Sequence, residues 1–273
     1  MHKSYLTGML ALLFAFSGMF LASCKHKEEQ TPVTNTRVTL EFSHWVSGGL
    51  LQMDTMIYST PPGNAYKVTD LQYFVSDVCF VRNDGKRVYV TDNDSIHYAD
   101  LRIPSTLVWP LNTKFPGGSY DSIEFVFGLN ARRNRSYRFP DPPERDMFWP
   151  EVLGGGYHYM KMNLVWKNDT MVVPWPFNLH LGIGQLYSHS GSVVDSVIGF
   201  VQNIFAVAIP LQSLETGSSA EHVLDLRMNI EKWFYSDQMF DFADFPEGTM
   251  QNETAMQEAC ANGRHAFEIR IIK

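Results

Sequence analysis

The 273-residue sequence predicts an all-β fold, an antiparallel β-sandwich with a few short helices, and three observations carry that prediction. Apolar residues recur with period two from Arg37 onward, Pro- and Gly-rich connections separate these runs, and strands never alternate with helices as in a βαβ unit. Residues 37–45 set Val38, Leu40, Phe42 and His44 on one face and Thr39, Glu41 and Ser43 on the other, so His44 points inward with an apolar stripe. Residues 71–82 form a second run, which Asn83-Asp84-Gly85-Lys86 turns back into 87–91. Further strands are predicted at 122–128, 157–166, 201–209, 222–230 and 265–272, and Asn168-Asp169 joins Trp166 to Met171-Val172-Val173 as a hairpin. Helical signals are confined to 142–153, interrupted at Pro150, and to 253–262, with Asn252 as cap and Gly263 just past the end.

The composition, 45% hydrophobic and 19% charged, is that of a folded domain. With 22 Lys+Arg against 29 Asp+Glu the net charge is −7, which leaves no basic surface to neutralise phosphates and argues against a nucleic-acid partner. His2 and Lys3 precede an apolar run at 5–21 that ends in Leu21-Ala22-Ser23-Cys24. Residues 1–23 therefore read as a signal peptide with a lipobox. Their spacing resembles that of bacterial lipoproteins, which implies lipid on the Cys24 thiol, cleavage before it, and membrane contact through the lipid anchor alone. The competing reading, an uncleaved anchor of minimum length, is weakened by Thr7, Gly8, Ser17 and Gly18. Residues 24–36 then form a polar tether and 37–273 the folded domain. Loss of Lys3 brings the mature charge to 21 − 29 = −8. The expected location is extracytoplasmic, as an outer-membrane lipoprotein facing the periplasm or the exterior. Cys79 and Cys260 read as buried, unpaired thiols, because no C-x-x-C or Cys-His zinc spacing is present.

No catalytic residue is assigned, and the chain is expected not to be an enzyme. Gly154-Gly155-Gly156 is followed by a strand, so it reads as a turn and not as a phosphate cradle. Ser188-His189-Ser190-Gly191 lacks the nucleophile-elbow pattern, and neither an H-E-x-x-H nor an EF-hand loop occurs. Arg132, Arg133, Arg135, Arg138 and Arg145 read as a solvated loop balanced by Asp141, Glu144 and Asp146, in preference to an anion-binding patch. Histidines and methionines are the chemically distinctive residues, and their imidazole and thioether groups favour copper, above all Cu(I), over hard cations. Two histidines stand apart. His44 ends an inward apolar stripe, where an imidazole needs a hydrogen-bond partner or a metal, and His180 adjoins the flexible Gly182-Ile183-Gly184. A different class of function, a surface lipoprotein binding a protein or glycan, would use the aromatic loops Trp109-Pro110 and Pro174-Trp175-Pro176 as stacking platforms.

The sequence contains, in order, Leu40-Glu41-Phe42-Ser43-His44, Leu71-Gln72-Tyr73-Phe74-Val75-Ser76-Asp77-Val78, His97-Tyr98-Ala99-Asp100-Leu101, Phe127-Gly128 and Asp146-Met147-Phe148-Trp149. Gly156-Tyr157-His158-Tyr159-Met160-Lys161-Met162, Asn178-Leu179-His180-Leu181-Gly182, Leu224-Asp225-Leu226, Ile230-Glu231-Lys232-Trp233-Phe234, Met250-Gln251-Asn252 and Asn262-Gly263-Arg264-His265-Ala266-Phe267 follow. In this order the blocks resemble the MbnP-like family of exported copper-binding proteins. The resemblance implies a β-rich carrier or scavenger in copper homeostasis that holds one copper ion, as Cu(I). It also implies histidine ligands and a tryptophan oxidised to kynurenine by a di-haem peroxidase-like partner. By position the ligand role passes to His44 and His180, and that of the modifiable tryptophan to Trp149. Met160 or His158 would supply a third donor, and Asn178 or Asp100 would fix the ligand tautomers. One departure matters: relatives often read Met-x-Trp-x-Trp, whereas this chain has Met147-Phe148-Trp149-Pro150-Glu151 and lacks the second tryptophan. If that second position is the modified one, the oxidised site does not form here.

Overall fold

The computed structural model describes residues 32–190, 193–217 and 220–273. The lipobox, Cys24 and His26 lie outside the described residues. In chain order the strands are β1 (Arg37–Val46), β2 (Gly49–Leu50), β3 (Tyr58–Ser59), β4 (Ala65–Arg82), β5 (Arg87–Tyr89), β6 (Ile96–Asp100), β7 (Val108–Leu111) and β8 (Gly118–Phe127). They continue as β9 (Met160–Lys167), β10 (Trp175–Leu181), β11 (Ile183–Ser190), β12 (Val193–Gln202), β13 (Phe205–Thr216) and β14 (Glu221–Asn229). Helix α1 (Glu253–Gly263) and strand β15 (Phe267–Ile271) close the chain.

β4 is the axis of the larger sheet, whose order is β10-β9-β4-β8-β13 with β3, β5 and β6 pairing along β4. The smaller sheet runs β15-β14-β1-β2, with β7 also on β1, while β11 and β12 pair with each other as a separate hairpin. The alternation in β1 buries Val38, Leu40, Phe42, His44 and Val46 as its period requires. Between the sheets lies an aromatic core: Phe42 meets Tyr73 edge-on at 6.4 Å, Tyr73 stacks on Phe127 at 5.6 Å, and Phe127 meets Phe267 at 5.4 Å.

The sandwich is dominated by antiparallel pairs, but β1 and β14 run parallel, from Arg37↔Glu221 to Trp45↔Asn229. Turn chemistry reveals a hairpin between neighbours in sequence, whereas this pair joins segments from opposite ends of the domain. Several expected boundaries shift. Residues 171–173 form the turn and not the return strand, which starts at Trp175, and 201–209 is split at Asn203-Ile204 between β12 and β13. The strand expected from 157 starts at Met160, and 142–153 yields two 3₁₀ turns, Glu144–Met147 and Glu151–Leu153. Helix α1 stands where its cap placed it, with the Asn252 side chain accepting from the Ala255 N–H. Cys79 and Cys260 are buried free thiols. Among the described residues no helix is long and apolar enough to cross a membrane.

Candidate metal centre

Strands β9 and β10 pair antiparallel from Trp166↔Trp175 to Met160↔Leu181. Their pleat turns Met160, Met162, Leu164, Leu179 and Leu181 toward the other sheet and leaves Lys161, Asn163 and His180 on the outer face. That outer face is roofed by the segment linking β8 to β9: Phe74 of β4 stacks on Phe139 at 5.5 Å and meets Tyr157 at 6.3 Å. Arg133 fastens the roof. It is 5% exposed, donates from Nη2 to Asp77 Oδ1 at 2.7 Å, and holds Nη1 2.9 Å from Asp94 Oδ1. The expectation of a purely solvated arginine loop is corrected here, because two carboxylates from β4 and the β5–β6 connection compensate the burial of this guanidinium.

At the end of the roof the Trp149 N–H donates to the Gly156 carbonyl at 2.8 Å, and the His158 N–H to the Met147 carbonyl at 2.6 Å. Gly154, Gly155 and Gly156 all take left-handed φ values, +110°, +67° and +82°, so the turn read from the sequence is one that side chains would strain. It returns the chain so that Trp149 and His158 lie side by side, ring centroids 4.6 Å apart at 75°. His158 in turn faces His180 at 5.2 Å and 88°. Trp149 is fully buried and lies against Gly182, where a Cβ would come within 2.6 Å of Trp149 Cε3. Its Nε1–H donates to the Leu153 carbonyl at 3.0 Å.

Each imidazole is anchored through one nitrogen. His158 Nδ1 lies 2.9 Å from the Met147 carbonyl oxygen and His180 Nε2 lies 2.8 Å from Asn163 Oδ1. Both partners are acceptors, which puts N–H on those two nitrogens and a lone pair on His158 Nε2 and on His180 Nδ1. Burial, aided by the facing His180 and by the Lys161 charge, lowers the His158 pKa to about 3. Burial and Lys161 lower that of His180 to about 4. Both rings are therefore neutral near pH 7, and their lone pairs are available without proton release. An imidazole held by a carbonyl at one nitrogen and free at the other is the form in which histidine binds metals. Among the described residues no three His, Cys, Asp or Glu side chains converge on one point. The two imidazole nitrogens are donors that suit copper, and a pair of them is the low coordination number that Cu(I) accepts.

The structure brings His180 to His158 and not to His44. His44 Nε2 lies 3.0 Å from the Tyr73 hydroxyl, in the core between the sheets. Tyr73 sits directly across from Met160, so both belong to the inward face, and the β4–β9–β10 sheet stands between His44 and the His158–His180 pair. Met160 is thereby turned away from the pair as well. The residue that orients His180 is Asn163. Asn178 is exposed, and Asp100 instead accepts from Tyr98 Oη at 2.9 Å and from the Arg102 N–H at 2.7 Å. The β9–β10 alternation carries the signal for Asn163, two residues beyond the direct partner of His180. Of the two aromatic loops, Trp109 is 7% exposed and stacked on His97 at 4.6 Å, which corrects its expected role as an open platform, while Trp175 is 58% exposed.

The MbnP family model matches residues 35–252. Among solved structures, MbnP from Methylosinus trichosporium is similar in fold, with a TM-score of 0.52 and 14% identity over 87% of this chain and 99% of that chain. No curated protein matches the chain.

Proposed function

The chain belongs to the MbnP family, and we propose that it is a copper-binding protein, exported, anchored by lipid at Cys24, and acting as a carrier or scavenger and not as an enzyme. The observation that carries this reading is the pair of neutral, perpendicular imidazoles, His158 and His180, each anchored by an oxygen acceptor and packed beside the buried Trp149. Their two lone pairs would bind Cu(I), with Met147 and Asn163 fixing ring orientation. Trp149 is the tryptophan nearest the pair that the family resemblance singles out. Oxidised by a di-haem peroxidase-like partner, with the pyrrole ring opened, C2 released as formate and C3 left as a ketone, Trp149 would become kynurenine, in which the former indole nitrogen is an aniline with an available lone pair. Gly182 and the Leu153 carbonyl hold this ring in place beside His158.

Anaerobic Cu(I) titration against a competing chelator tests the reading. The mature domain is expected to bind one copper, and His158→Ala and His180→Ala each to weaken binding by at least tenfold, a loss of about 1.4 kcal/mol or more. Binding left unchanged by both substitutions would remove the assignment. Intact mass gives a separate check on Trp149, since conversion to kynurenine exchanges a ring carbon for oxygen and adds about 4 Da. The glycan- or protein-binding alternative retains one open aromatic platform, Trp175, and predicts instead that Trp175→Ala, and neither histidine variant, abolishes ligand capture.

A further inference from the structure

The register that seats His180 also seats a cation beside it. Lys161 is the direct cross-strand partner of His180, so the two side chains leave the same face of the sheet as close neighbours. The Lys161 ammonium donates to the Asp146 carbonyl. Asp146 immediately precedes Met147, whose carbonyl holds His158. The lysine stem thus runs from the face of the sheet that carries His180 to the roof segment that holds His158. The carboxylate of Asp146 acts on Lys161 as a counter-charge, but it is 65% exposed and already paired with Arg145 at 3.5 Å, so water and the arginine screen it.

We propose that Lys161 is the residue that makes this centre select a monovalent over a divalent ion. The inference rests on the copper reading and deepens it. Two imidazoles alone do not discriminate in that direction, because nitrogen ligands also suit Zn(II), Ni(II) and Cu(II), and Cu(II) tops the affinity order of the divalent ions. A fixed ammonium changes the balance through charge. Coulomb repulsion is proportional to the charge of the bound ion, so at one position Lys161 opposes a 2+ ion twice as strongly as a 1+ ion. The same difference favours the reduced form of a bound copper and raises its reduction potential. Geometry keeps the charge in place, since Lys161 is fixed at its root by the β9–β10 ladder and at its tip by the Asp146 carbonyl.

The test compares the wild-type domain with Lys161→Met, which keeps the stem and removes the charge, and Lys161→Arg, which keeps the charge. Each is titrated anaerobically with Cu(I) and, separately, with Zn(II) and Cu(II), and the midpoint potential of the copper-loaded form is measured. In Lys161→Met the affinities for Zn(II) and Cu(II) are expected to rise about tenfold relative to that for Cu(I). For copper, this ratio corresponds to a midpoint lower by about 59 mV. Lys161→Arg is expected to behave as the wild type. An equal change in all three affinities in Lys161→Met, or the same change in Lys161→Arg, would reduce Lys161 to a packing residue and overturn the inference with the copper reading intact. A wild-type domain that binds no Cu(I) would overturn the copper reading itself.

Discussion

His44 owes its place to the period of β1 and its chemistry to a single neighbour. It is 5% exposed, with Nε2 3.0 Å from the Tyr73 hydroxyl. Burial lowers its pKa to about 3. His97, stacked between Phe42 and Trp109 at 4.6 Å on each side, is lowered to about 4 by burial, partly offset by its bond to the Thr106 carbonyl. Removing one partner of a buried polar pair costs more than removing both, because the survivor keeps its desolvation penalty. His44→Leu is therefore expected to lower the unfolding free energy by about 2 kcal/mol through the stranded Tyr73 hydroxyl. Adding Tyr73→Phe is expected to recover most of that loss, as read by chemical denaturation; a double variant less stable than the single one would contradict it. The pH dependence has a definite sign. An unfolded histidine takes up a proton near pH 6.5, whereas the folded His44 and His97 do not until about 3 and 4, so the unfolded chain binds more protons between these limits. Their contribution is complete above pH 6.5 and is lost as pH falls, at up to about 1.4 kcal/mol per unit and per histidine. The His44→Leu, Tyr73→Phe double variant is expected to flatten that slope by one proton between pH 6 and 4.5.

At the scale of elements, the centre is made where a hairpin meets a covering segment, and Gly182 is the point of closest approach. A methyl group there would sit 2.6 Å from Trp149 Cε3 and 2.8 Å from Cζ3. Because the indole is fully buried and tied to Leu153, it has little room to give. Gly182→Ala is expected to cost about 1–3 kcal/mol. It is also expected to alter the Trp149 environment seen in near-ultraviolet circular dichroism and to weaken Cu(I) binding through the displaced His158. Unchanged spectra and stability would show that the ring relaxes freely. The same junction shows what the sequence discloses. Period two exposed the inward stripe of β1, the glycine run marked the turn before His158 and the Asn252 cap marked α1, because each of these depends on residues a few positions apart. Local pattern did not disclose the parallel β1–β14 pair, the burial of Arg133 between Asp77 and Asp94, or the convergence of His158 on His180. Each depends on residues that meet only through the third dimension. His44 drew attention as a polar group on an apolar stripe, yet a tyrosine from the facing sheet meets the same need as a metal would.

At the scale of the molecule, the larger sheet is a partition. Its inner face packs Tyr73, Phe127 and Met160 against the smaller sheet, and its outer face carries Lys161, Asn163 and His180 beneath the roof. Histidines on the two sides have no shared hydrogen-bond partner, since His44 bonds Tyr73 while His158 and His180 bond Met147 and Asn163. Such an arrangement lets the core be tuned for stability and the centre for metal with little exchange between them, because substitutions that share no partner and lie well apart tend to be additive. The sharpest consequence is a cycle built across the sheet. His44→Leu should change the denaturation midpoint and leave Cu(I) affinity within about twofold, whereas His180→Ala should lower Cu(I) affinity by at least tenfold. Combined in one chain, the two should show stability changes that sum to within about 0.5 kcal/mol and an affinity set by His180→Ala alone. A coupling above about 1 kcal/mol, or a loss of copper in His44→Leu equal to that in His180→Ala, would mean that the two histidines act on one ion through a rearranged sheet. The metal assignment would then have to include the imidazole on the inner side.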